Sequence, residues 1–194
     1  MPRIGIIGQV GVGKSTCCDN LHKILPDHEL SLEPIPSTLK AFLDAQGTDE
    51  QHMRRLYHDL NIVKAHYRLL EKRQKPNVVC ERPAAENFWI FGDRIEGSQF
   101  YNVYKELSAK VPLDILIYLH AAPDVVTERI NKRARPGEEY YSREFAKAQA
   151  VLYNENYRNI ANWHDCKIVK DFECSIKTEE EVMLDVYNFV KNYL

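Results

Sequence analysis

Gly8-Gln9-Val10-Gly11-Val12-Gly13-Lys14-Ser15 is the stretch that most constrains the chain, because it fits G-x-x-x-x-G-K-[ST]. Ile4-Gly5-Ile6-Ile7 before it is a short apolar run of the kind a buried parallel strand requires. Thr16 to Leu25 after it reads as a helix. A strand, a glycine-rich loop and a helix in that order make a phosphate cradle. Glycines at 8, 11 and 13 let successive backbone N–H groups turn inward on phosphate oxygens, and the helix adds the positive end of its dipole. Lys14 supplies a mobile positive charge for the outer phosphates, and the Ser15 hydroxyl can hold Mg²⁺. The loop residues expected to bind nucleotide are Gly8, Gly11, Val12, Gly13, Lys14, Ser15 and Thr16. The sequence thus points to ATP or GTP with Mg²⁺, and leaves open what the nucleotide is used for.

The rest of the chain supports an α/β fold. His28–Leu32 alternates polar and apolar residues and ends at Glu33-Pro34, where proline cannot continue a ladder. Ser37–Leu43 reads as a short helix, and Gly47-Thr48-Asp49 as a loop. From about Glu50 to Lys72, Leu56, Leu60, Val63, Tyr67 and Leu70 form one buried helical stripe, with His58, Asn61, Ala65 and Arg68 on a second. Val78–Cys80 is a short strand ending at Glu81-Arg82-Pro83. Phe100, Val103 and Leu107 suggest a helix over about 97–110. Ile115–Leu119 is the strongest buried strand, Val125–Lys132 a helix stopped by Pro136-Gly137, Phe145–Trp163 a long helix and Lys167–Val169 a last strand. Thr178 and Glu181 form a capping box opening a final helix, with Met183, Val186, Val190 and Leu194 inward. Five strands alternating with helices predict a parallel sheet covered on both faces, with ligands beyond the strands' carboxyl ends.

Composition adds bounds. The 194 residues suit one domain, 1–194, and the net charge of −2 gives no argument for nucleic acid or an anionic membrane as partner. Five cysteines lack metal-ligand spacing, which suits reduced structural thiols. The first strand begins at Arg3, leaving no room for a signal peptide, and no apolar run reaches the length of a bilayer span, so a cytoplasmic protein is expected.

Glu33 and Glu81-Arg82 fall at strand carboxyl ends, on the rim the phosphate loop occupies. A carboxylate there can act as general base for phosphoryl transfer, and an arginine can steady charge on the transferring group. Taken singly such a glutamate is more often a helix cap; two beside a phosphate loop reverse that weighting. Arg129, Arg133, Arg135 and Glu138 follow R-x-x-x-R-x-R-x-x-E, with the first two one helical turn apart. Three arginines so close are ordinarily a solvated face, but they also suit a lid (about 129–142) that clamps ATP phosphates and excludes water.

These motifs, in this order, resemble the deoxyribonucleoside kinase family over nearly the whole chain, and the length is similar to its compact viral and bacterial members. The resemblance implies a P-loop kinase fold with an arginine-rich lid, a homodimer, and transfer of phosphate from ATP to a deoxyribonucleoside 5′-hydroxyl. By position it makes Glu33 the base, Arg82 the holder of the hydroxyl and phosphoryl group, Glu81 the organiser of Mg²⁺ with Ser15, Phe91 the ring stacked on the base and Glu138 the 3′-hydroxyl ligand. Arg129, Arg133 and Arg135 would close over ATP. Departures bear on the base. Thr38 replaces a family tryptophan, Pro83 a serine, and no tyrosine matches the one that assists at the 3′-hydroxyl. The base-reading glutamine is absent, its place falling on Asn61 or His58; Arg68 matches a family arginine whose aspartate partner is here Asn87. Thymidine is favoured on that ground, with deoxycytidine second. The alternatives are a nucleoside monophosphate (thymidylate) kinase, disfavoured because Glu33 would repel an acceptor phosphate, and a GTPase-type or non-catalytic module. For the latter, Asp44–Gly47 has D-x-x-G letters without a strong strand before it, and Asn131-Lys132 lacks the aspartate that reads guanine.

Overall fold

The computed structural model describes residues 2–31, 77–91, 99–134 and 141–194. A parallel five-stranded sheet runs through it in the order β2-β3-β1-β4-β5. Its strands are β1 (Ile4–Gly8), β2 (Glu29–Ser31), β3 (Val78–Glu81), β4 (Ile115–His120) and β5 (Ile168–Glu173). The helices are α1 (Lys14–Ile24), α2 (Ala84–Glu86) continued by a π-helical turn Asn87–Phe91, α3 (Gln99–Lys110), α4 (Pro123–Arg133), α5 (Arg143–Trp163) and α6 (Glu179–Val190). The expected short helix at 37–43, the long helix at 50–72 and the Pro136-Gly137 stop lie outside the described residues.

β1 is central because it is apolar throughout: all five residues are buried. It pairs with β3 on one side and β4 on the other, with Ile6 opposite Glu81 and Gly8 opposite Leu119. Since side chains alternate across a strand, the sheet builds two cores. Ile4 and Ile6, with Val79, Ile115, Ile117 and Leu119, pack on the side of α1 and α6, where Cys18, Leu21, Val186 and Val190 meet them. Ile7, Cys80, Leu116 and Tyr118 face the other way, onto Tyr153, Ile160 and Ala161 of α5. A satellite cluster of Ala84, Phe88 and Tyr104 joins α2 to α3.

α3 lies where Phe100, Val103 and Leu107 suggest it; Tyr104 and Ser108 are its buried residues and Val103 is exposed, with an aromatic cluster of Phe88, Tyr101 and Trp163 beside it. Two sequence expectations need correction. Leu194 is exposed, since α6 ends at Val190 and a 3-10 turn rotates the last residues away. β5 runs on to Glu173, beyond the expected Val169. Lys170 and Asp171 broke its apolar pattern; both are exposed on the last strand of the described sheet, where charges are tolerated and deter further pairing.

Helix ends follow local rules. Thr178 and Glu181 make the reciprocal bonds of a capping box, and Ser142 accepts from the Phe145 amide at the start of α5. α4 stops at Ala134, which takes a left-handed φ of 46°.

All five cysteines are buried and unbridged. Burial pushes the thiols of Cys17 and Cys80 up to about 12 and those of Cys166 and Cys174 up to about 11. At pH 8 a disulfide reagent should therefore titrate no thiol in the native protein and all five in denaturant. Because these values are raised on folding, stability should be complete below pH 9 and fall as pH climbs from 9 toward 12, measurable by denaturant melts.

Candidate functional site

The phosphate loop leaves β1 at Gly8, whose φ of 149° is a glycine conformation. A Cβ there would sit 2.1 Å from the Leu119 carbonyl oxygen, so β1 and β4 approach too closely for any side chain. Gly11 (φ 81°) lies against Ile130 of α4, where a Cβ would come within 2.7 Å of the Ile130 side chain. Gly13 (φ 105°) differs: a Cβ would meet nothing within 4 Å, so open space lies over it. Gly13 is also the N-cap of α1, with no side-chain cap bond and no acidic residue in the first turn. The helix's first amides are thus directed at a site that an anion can occupy.

The loop is held from beneath. Gln9, fully buried, donates from Nε2 to the Ala146 carbonyl at 3.2 Å and accepts at Oε1 from Ala121 N at 3.0 Å. Val10 N donates to Gln149 Oε1 at 3.1 Å. Gly8 N donates to Glu86 Oε1 at 3.5 Å, and the same oxygen takes a short hydrogen bond from the Tyr153 hydroxyl. Lys14, expected to reach out to phosphates, is 4% exposed and donates from Nζ to the carbonyls of Gly8 (2.7 Å) and Gln9 (2.8 Å). Engaging a nucleotide means that Lys14 Nζ trades backbone carbonyls for phosphate oxygens, which add the attraction of opposite charges to the hydrogen bond.

Ser15 and Glu81, both expected around Mg²⁺, are brought together. The Ser15 hydroxyl donates to Glu81 Oε1 at 2.9 Å, joining the start of α1 to the end of β3. A hydroxyl and a carboxylate side by side at the loop fit the ion, which is usually held by one or two protein oxygens plus phosphates and water. Arg82 follows with φ 53°, a left-handed conformation costing a non-glycine residue about 1–3 kcal/mol. Its amide donates to the Ile6 carbonyl at 3.1 Å, which holds the turn beside β1. Asn87 opens the π-helical turn, is buried, and donates from Nδ2 to the Tyr104 hydroxyl at 3.1 Å. Phe91 closes that turn.

Arg129 donates from Nη2 to the Cys174 carbonyl at 2.7 Å, tying α4 to the end of β5. It also lines a cleft of ≈ 350 Å³ with Gly11, Gly13, Asn20, Lys177 and Thr178, at the lower end of the range for small-molecule sites. Arg133 is exposed in the last turn of α4. Glu33, His58, Asn61, Arg68, Arg135 and Glu138 lie outside the described residues.

Two groups of residues escaped the sequence reading. Asn20, Lys177 and Thr178 could have been found, because β5 ends on the same rim and the capping box located the helix start beside it. Gln9, Glu86, Gln149 and Tyr153 carried no signal, since periodicity does not say which helix packs beneath a loop.

The sequence matches the deoxynucleoside kinase profile over residues 4–194. The chain belongs to the deoxynucleoside kinase family. The fold agrees with this assignment. A deoxyadenosine kinase from M. mycoides with bound dATP superposes with a TM-score of 0.68 at 20% identity, covering 97% of this chain and 98% of that one. The same enzyme with dCMP and a flexible dCDP gives 0.68 at 21%, covering 98% and 99%. No curated protein matches the chain by sequence. In this kinase family member, the loop glycines can be tested directly. Gly8→Ala should lower stability by at least about 3 kcal/mol, the upper end of single-substitution effects, as read from denaturant melts. A fold unchanged by the substitution would mean that β1 and β4 separate there at little cost.

Proposed function

We propose that this protein transfers the terminal phosphoryl group of ATP to the 5′-hydroxyl of a deoxyribonucleoside, with thymidine preferred and deoxycytidine second. The observation that carries the proposal is the Ser15–Glu81 pair beneath an uncapped helix start, with Arg82 held in a left-handed turn beside it. It supplies a phosphate cradle, a place for a divalent ion and a guanidinium within one rim. Mg²⁺, held by Ser15 and Glu81, would neutralise charge on the donor phosphates. Arg82 positions the acceptor hydroxyl and steadies the transferring group, while Glu33 takes the hydroxyl proton. The ≈ 350 Å³ cleft between Gly13, Arg129 and Thr178 takes the nucleoside part of the donor, and Arg129, Arg133 and Arg135 clamp its phosphates.

On the acceptor side, Phe91 stacks on the base, Glu138 holds the 3′-hydroxyl, and Asn61 or His58, with Arg68, faces the base. Asn87 supports the thymidine preference: it is a neutral amide engaged with Tyr104, so it offers Arg68 no carboxylate. The protein is proposed to act in the cytoplasm as a homodimer, without nucleic acid or membrane partners; among the described residues no helix is long and apolar enough to cross a membrane.

A panel of thymidine, deoxycytidine, deoxyadenosine and deoxyguanosine with ATP tests the proposal. The fastest turnover is expected with thymidine; since the neighbouring M. mycoides enzyme is a deoxyadenosine kinase, the sharpest contrary result is deoxyadenosine first. Phosphorylation of thymidine monophosphate alone would instead establish a monophosphate kinase. Glu33→Gln should cut kcat on the order of 10²–10⁴-fold, the usual worth of a general base, with nucleoside affinity nearly unchanged. Full turnover in that variant would remove Glu33 from the chemistry.

A further inference from the structure

One face of α5 lies beneath the phosphate loop, presenting Ala146, Gln149 and Tyr153 at helical spacing. Gln149 is 3% exposed, and its Oε1 accepts the Val10 amide at 3.1 Å. Only the oxygen of a carboxamide can accept from an N–H, so this bond fixes which way the side chain points. Among the described residues its Nε2 has no hydrogen-bond partner. A buried donor left unbonded opposes folding by about as much as one good bond favours it, so Gln149 adds little to net stability. What it does add is a fixed position for Val10. Gln9, the preceding residue, is bolted to the same helix and to the end of β4 through both ends of its amide. Beyond Val10, the loop amides of Gly11 and Gly13 make no hydrogen bond among the described residues, and open space lies over Gly13.

We infer that Gln149 is a positioning residue of the phosphate loop: by holding the Val10 amide from α5, it sets the direction in which the Gly11 and Gly13 amides point at the donor phosphates. It touches no reacting atom. The inference rests on reading this loop as the donor site, and it concerns phosphate affinity and not the identity of the acceptor.

Gln149→Met keeps the length and bulk of the side chain and removes the acceptor. By calorimetry, without turnover, the variant should bind ATP and inorganic tripolyphosphate about tenfold more weakly, the effect of one buried hydrogen bond. Thymidine affinity should stay within about twofold, which separates loop orientation from general loosening. A folded Gln149→Met protein with unchanged affinity for ATP and tripolyphosphate would overturn the inference, as would equal weakening for thymidine. If the variant does not fold, amide exchange in the nucleotide-free wild type decides: Val10 should exchange much more slowly than Gly11, and equal rates would overturn the inference. A wild-type protein that binds ATP but phosphorylates no nucleoside would refute the kinase reading and leave the Gln149 result intact.

Discussion

The close approach of β1 to β4 at Gly8 is the constraint on which the rest of the structure depends. With Gly8 opposite Leu119 and a Cβ excluded by the Leu119 carbonyl, the chain leaves the sheet at one defined point and angle. Everything functional is measured from there: the loop turns over Ile130 of α4, α1 begins at Gly13, and Ser15 lands on Glu81 at the end of the neighbouring strand. A parallel sheet makes this possible because its carboxyl ends share one edge.

The loop is supported by polar contacts where apolar packing would not specify direction. Dispersion and burial hold β1 in place from both faces, but they are non-directional. Hydrogen bonds accepted by the side chains of Gln9, Gln149 and Glu86 fix backbone amides individually, and each side chain is nearly or completely shielded from water. In that low-dielectric setting a broken bond is costly, so the polar layer rigidifies the loop. α5 therefore serves two purposes: Tyr153, Ile160 and Ala161 fill the core beneath the sheet, and one turn nearer its start the same helix holds the glycine-rich loop. α4 has a similar double role, packing Val126 and Ile130 inward while Arg129 reaches the end of β5.

Much of this was legible in the sequence because the determining signals are local. Strand β1 and the loop are a contiguous pattern of apolar residues and glycines, β4 is an unbroken apolar run, and the α6 capping box is defined by two residues three apart. Where the signal is not local, the reading failed. The buried face of α3 was not read, because it meets Phe88 and Trp163, distant in sequence. β5 was shortened because an edge strand need not be apolar on both faces. The supports Glu86, Gln149 and Tyr153 were silent, since nothing near them in sequence marks the loop they hold.

The sequence by itself determined that a glycine-rich loop follows a buried parallel strand, that the fold is α/β, and that Glu81-Arg82 ends a strand. These follow from steric and hydrogen-bonding rules acting over a few residues. Tertiary structure alone decided that Ser15 meets Glu81, that Arg129 anchors on Cys174, and that α5 holds the Val10 amide. Such pairings join residues up to 139 positions apart, as Val10 and Gln149 are. Only the packing of elements across the sheet brings such residues within hydrogen-bond reach, because the bond acts over about 3 Å and carries no trace in the intervening sequence.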